Sequence, residues 1–156
     1  MRRHLNRSLL AAAVVLAAGC NLDVAQPVND PSDPSTETFN PSLKIDIATM
    51  QKTAAGDYYK DVTVGSGATL TLGLGTQAIL SFVGFLKTGA GFAQTLNTLT
   101  FIGNLPPGLQ DGIAGMREGG ERIIVIPSAL GYGPVAQPGI PPNSTLVFDV
   151  ILNQIP

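Results

Sequence analysis

From Thr145 to Leu152 the chain alternates so that Leu146, Phe148, Val150 and Leu152 fall on one face, the period of a half-buried β-strand. Thr69 to Leu74 alternates in the same way, and Ile79 to Leu86 and Arg122 to Ile126 are short β-branched or aromatic runs bounded by Gly, Pro or Thr. Together they predict a mainly antiparallel sheet. Eighteen glycines, 12 prolines and no tryptophan favour a loop-rich β architecture over a helical bundle. Apolar residues make up 44% of the chain and fall in strand-like runs, which excludes disorder of the whole. One helix is expected. Pro106-Pro107 can open it without losing a needed hydrogen bond, and Leu109, Ile113 and Met116 then share a face. Gly108, Gly112 and Gly115 make it weak alone, so it must be short and held by packing on the sheet.

The amino terminus reads as an export leader over residues 1–20. Met1 to Arg7 carries three arginines, Leu9 to Ala18 is an uninterrupted apolar run too short to span a bilayer, and Gly19-Cys20 follows. Leu16-Ala17-Ala18-Gly19-Cys20 resembles a bacterial lipobox, although alanine stands at position 17 where leucine is usual. Cys20 is the only cysteine and has no intramolecular disulfide partner. The resemblance implies a lipid on Cys20 and a place in the cell envelope, facing the periplasm or exterior. Asn21 is not an acidic retention residue, which leans toward the outer membrane where the host has one. Residues 21–42, rich in Pro, Asp, Asn, Ser and Thr, predict a disordered or extended tether. A single domain is then expected over residues 43–156. Of nine Lys+Arg against 11 Asp+Glu, the leader takes three arginines and no acid, so the mature protein is mildly acidic with no basic footprint for nucleic acid.

Little conventional catalytic chemistry is available. His4, the sole histidine, leaves with the leader, which excludes a Ser-His-Asp triad, a Cys-His pair and a His/Cys zinc site in the mature domain. No phosphate loop occurs, and Gly73-Leu74-Gly75 is too short a signal for a dinucleotide site. Asp57 and Asp61 are expected to be solvated surface acids in a loop. What remains is an apolar and aromatic set beside a Gly/Pro-rich loop: Phe82, Phe92, Tyr132, Ile140 and Phe148. By itself such a set reads as a core rather than a pocket.

Met116-Arg117-Glu118-Gly119-Gly120-Glu121-Arg122, then Ile126-Pro127, Leu130-Gly131-Tyr132-Gly133 and Gly139-Ile140-Pro141-Pro142-Asn143-Ser144-Thr145-Leu146-Val147-Phe148-Asp149-Val150, resembles the consecutive signature of FKBP-type peptidyl-prolyl cis-trans isomerases. Upstream, Phe82 to Leu86 with Gly89 and Phe92 resembles the strand and turn before that family's pocket, and Tyr58 to Asp61 with Gly65-Ser66-Gly67 its opening. The resemblance implies an α+β fold, an antiparallel sheet of five to six strands curled around one short helix. It implies prolyl isomerisation without cofactor or metal; the leader makes exported polypeptides the expected substrates, and with no dimerisation segment in the sequence a monomer is expected. Phe82, Phe92, Tyr132, Ile140 and Phe148 would carry catalysis, and Leu105 and Leu109 would bind substrate. Four positions depart from the family pattern. Phe82 stands for a tyrosine, Ala93 for an aspartate, Leu109 for a tryptophan, and Pro106 for an isoleucine whose N–H donates to ligands. Leu99 to Asn104 is also about two residues short, leaving its pocket-facing residue unassigned. These changes imply a looser, more apolar pocket that binds the family's macrolide inhibitors weakly. They leave open two other readings, a prolyl-peptide-binding or chaperone module without turnover and a structural envelope lipoprotein.

Overall fold

In the computed structural model, which describes residues 33–156, a six-stranded antiparallel sheet curls around one short helix. The strands are β1 (Gln51–Lys52), β2 (Tyr58–Thr63), β3 (Gln77–Leu86), β4 (Gly91–Phe101), β5 (Gly120–Ile126) and β6 (Leu146–Gln154), in the spatial order β1-β2-β5-β6-β3-β4. The helix α1 (Pro107–Ile113) lies against the concave side. β6 is central, and its alternation places Leu146, Phe148, Val150 and Leu152 in the concave core, all of them buried.

Leu109 and Ile113 point from α1 into that core, and Met116 joins them from the turn after the helix. The helix glycines are what bring it close. A Cβ on Gly108 or Gly112 would collide with Ile126 or Ile124, so a helix poor in propensity gains contact with the sheet instead. Arg122, buried on β5, closes the helix end. Its Nε donates to Asp61 Oδ1 at 2.7 Å, its Nη1 donates to the carbonyls of Gly112 (2.9 Å) and Ala114 (3.1 Å), and its guanidinium sits 4.2 Å from the centre of the Tyr59 ring. Carbonyls that an α-helix leaves orphaned at its carboxyl end are thereby satisfied.

Three sequence expectations need correction. Thr69 to Leu74 is not a strand: Leu70 is buried, but Leu72 is exposed, Leu74 is fully exposed, and only Thr69 pairs, with Arg117. A single core-facing leucine cannot hold a strand that turns at Gly73-Leu74-Gly75. Asp57 and Asp61 are not solvated acids in a loop. Asp57 is fully buried, and Asp61 lies on β2 in the ion pair with Arg122. Finally, residues 33–42 are not a disordered tether; the earlier part of that segment, and the Cys20 region, lie outside the described residues. Asp33, Asn40 and Asp46 each accept from the backbone N–H two residues on, at 2.9, 2.9 and 3.2 Å, opening short 3-10 turns of which the first two start with proline. The polar, Pro-rich composition that suggests a tether also makes capped turns. Phe39, Leu43, Ile45, Ile47 and Met50 then pack on the convex face over Tyr58, Val125 and Val147. Asn40 and Glu37 fasten the segment to the β3–β4 turn, through Asn40 N–H to Lys87 O (2.8 Å) and a Lys87–Glu37 ion pair (3.4 Å).

Candidate functional site

Phe82, Phe92, Leu105, Leu109, Tyr132, Ile140 and Phe148 all line one open cavity of about 300 Å³ at the end of the concave face. They reach it from separate pieces of the fold. Phe82 comes from β3, Phe92 from β4 and Phe148 from β6. Leu105 precedes α1 and Leu109 lies on its first turn. Tyr132 and Ile140 come from the long loop before β6.

Phe148 forms the floor. It is only 2% exposed and takes two rings edge-on, Phe82 at 5.8 Å and 75° and Phe92 at 5.5 Å and 89°. Such T-shaped contacts are the favoured geometry of aromatic pairs. Gly84, between the rings on β3, makes the arrangement possible: a Cβ there would lie 2.8 Å from Phe92 Cζ and 2.9 Å from Phe148 Cε1.

The loop that carries the opposite wall is tied to itself. Gly131 and Gly133 N–H donate to Ser128 O, Asn143 N–H donates to Gly133 O at 2.8 Å, and Gln137 and Ile140 exchange backbone hydrogen bonds at 3.0 and 2.9 Å. Ile140 is thus held pointing inward, 6% exposed, while Tyr132 stands at the rim, 36% exposed. No hydrogen bond of the Tyr132 hydroxyl occurs among the described residues, which leaves it facing whatever enters the cavity.

At the helix side the backbone is poor in donors. Pro106 has no N–H, and Gln110 Nε2 occupies the Leu105 carbonyl at 2.7 Å. In the segment without a sequence assignment, Ile102 turns into the core and Asn104 lines the cavity. Gln137 and Pro138 line it as well. Sequence reasoning missed all three; only the last two carried a signal, standing directly before Gly139-Ile140. Apart from the Tyr132 phenol, no lining residue is ionisable, and among the described residues no group of three or more His, Cys, Asp or Glu could hold a metal. The cavity can therefore bind, orient and desolvate, and its one ionisable group is the Tyr132 phenol.

Residues 69–153 match the family model of FKBP-type peptidyl-prolyl cis-trans isomerases. The chain is 40% identical over 118 residues to FK506-binding protein 3 of Eremothecium gossypii, covering 72% of this chain and 28% of that protein. It is 45% identical over 83 residues to FK506-binding protein 4 of Saccharomyces cerevisiae, covering 50% and 21%. It thus spans only about a quarter of the length of these relatives. Among solved structures it is similar to FkpA from Escherichia coli, with a TM-score of 0.63, 29% identity, and 74% of this chain and 54% of that one covered. AtFKBP13 gives a TM-score of 0.58 and 27% identity, with 69% and 98% covered.

Proposed function

Since the chain belongs to the FKBP-type peptidyl-prolyl cis-trans isomerase family, we propose that it speeds rotation about X-Pro bonds of polypeptides in the cavity over Phe148. The barrier to that rotation is about 18–20 kcal/mol, and each ~1.4 kcal/mol removed is tenfold in rate. No acid, base or covalent step is needed. The twisted amide has lost resonance and much of its charge separation, so a dry apolar wall favours it over the planar ground state. The observation that carries the reading is the convergence of four aromatic rings and the side chains of Leu105, Leu109 and Ile140 on one cavity without a charged residue. In this reading Phe82, Phe92, Ile140 and Phe148 hold the proline ring, Leu105 and Leu109 close one side, and the free Tyr132 hydroxyl donates to a substrate carbonyl.

A protease-coupled assay on a prolyl tetrapeptide anilide tests it. The chain should accelerate the slow phase over buffer. Tyr132→Phe, which breaks no hydrogen bond among the described residues, should leave stability unchanged and lower kcat/KM about 2–13-fold, the effect of one hydrogen bond of about 0.5–1.5 kcal/mol. No acceleration by the unmodified chain would sink the enzyme reading. Pro106 and the occupied Leu105 carbonyl favour one alternative, a module that holds prolyl segments without turning them over. Prolyl peptide binding without acceleration would identify it.

The finer setting rests on the sequence alone. We place the protein, as a monomer, in the cell envelope on a lipid attached to Cys20, where its substrates are exported proteins. Cys20→Ser should move it from the membrane to the soluble fraction.

A further inference from the structure

A second cavity, of about 560 Å³, opens on the convex face, away from the proline cavity. Its floor is Phe85, Val147 and Ile123 on β3, β6 and β5, with Leu43 of the amino-terminal segment and Val62 of β2 as walls. Two carboxylates share this apolar surface. Asp149 pairs with Ile123 across β5 and β6, and Glu121 stands two residues along β5 from Ile123, so the two acids are diagonal neighbours on one face. Neither enters an ion pair among the described residues, whose pairs are Lys87–Glu37 and Arg122–Asp61. Lys44 also lines the cavity and forms an ion pair with neither acid among the described residues. Asp149 Oδ1 is shielded from solvent and has no hydrogen-bond partner among the described residues.

We propose that this groove is a docking site for a polypeptide segment that carries an arginine between apolar residues. Two adjacent carboxylates repel when both are ionised, and a guanidinium between them reverses the sign of that interaction. Its planar fork matches two acceptors, while its methylene stem and apolar neighbours suit the Phe85, Val147 and Ile123 floor. The volume exceeds one side chain and fits a short segment. Burial and the Glu121 charge push the Asp149 carboxyl above its ordinary value, as unmet negative charge requires. This site is independent of the isomerase reading.

The test titrates the full chain with acetyl-Leu-Arg-Leu-amide, which has no proline, and with its citrulline counterpart, following methyl resonances by NMR. Leu43, Ile123 and Val147 should shift with the arginine peptide, and prolyl isomerisation should be unaffected at saturation. The citrulline peptide, and the variants Glu121→Gln and Asp149→Asn, should each weaken binding at least about tenfold. Equal binding of both peptides, shifts confined to Leu109 and Ile140, or no shift at millimolar peptide would overturn the proposal. The citrulline arm stands even where a variant does not fold.

Discussion

Gly84→Ala tests the fold and the site at once. The added methyl would lie 2.8 Å from Phe92 Cζ and 2.9 Å from Phe92 Cε2 and Phe148 Cε1. Carbon atoms rest at about 3.5–4.0 Å, so something must give by on the order of 0.6–1 Å. Phe148 cannot move easily, being 2% exposed at the centre of the sheet. Phe92, on edge strand β4 and partly exposed, is the ring that yields, and the space open to it is the cavity. Overpacking of this kind costs about 1–3 kcal/mol, or a fall in Tm of roughly 3–6 °C per kcal/mol for a domain of this size. A misplacement of about 1 Å within a site costs up to ~100-fold in rate, so kcat/KM should fall at least tenfold with the fold intact. Thermal denaturation followed by circular dichroism and the protease-coupled assay read the two effects. Gly91→Ala is the control. Its Cβ would meet nothing closer than 3.9 Å, and its effect should stay within about 0.5 kcal/mol. Wild-type kcat/KM and an unchanged Tm for Gly84→Ala would refute the placement of the rings.

Two further predictions concern elements that hold the site in place. Burial, with the Asp111 carboxylate beside it, pushes Asp57 above its ordinary value of 3.8, against the pull of the Thr53 hydroxyl bond, and one of its oxygens has no partner. A carboxyl raised on folding stabilises while protonated, and that contribution is lost as pH rises from the ordinary value through the folded one. Asp57→Asn should therefore raise Tm at pH 7 and flatten its fall between acid and neutral pH, measured by calorimetry across that range. A chain starting at residue 43 should melt below one starting at residue 33, because it lacks Phe39 on the convex cluster and the Asn40 and Glu37 links to Lys87. Equal melting temperatures would return residues 33–42 to the role of a tether.

The sheet was legible where alternation coincided with burial on one face, as in β6, and misleading where it did not. Leu70, Leu72 and Leu74 alternate as well as Leu146, Phe148 and Val150 do, but no neighbouring strand pairs with them beyond Thr69. Alternation shows that a strand could form, and pairing decides whether it does. β4 escaped notice for the reverse reason. It is an edge strand whose Leu96, Leu99 and Phe101 are exposed, so no buried face stamps a period on its sequence. Asp57 was misjudged because nothing local says that an aspartate lies beneath a helix more than 50 residues later in the chain.

What the sequence by itself determined is most of the apolar and aromatic side chains that line the cavity. Phe82, Phe92, Leu105, Leu109, Tyr132, Ile140 and Phe148 could be named in advance because the motif from Met116 to Val150 and its upstream partners carry both identity and order. The tertiary structure alone decided which groups were left free and which were already used. Among the described residues it showed an unengaged Tyr132 hydroxyl, a Leu105 carbonyl taken by Gln110, Arg122 occupied by Asp61 and the helix end, and Asp149 with an oxygen unmet. The reason is physical. A side chain's apolar character is its own, whereas the satisfaction of a polar group depends on partners drawn from anywhere along the chain.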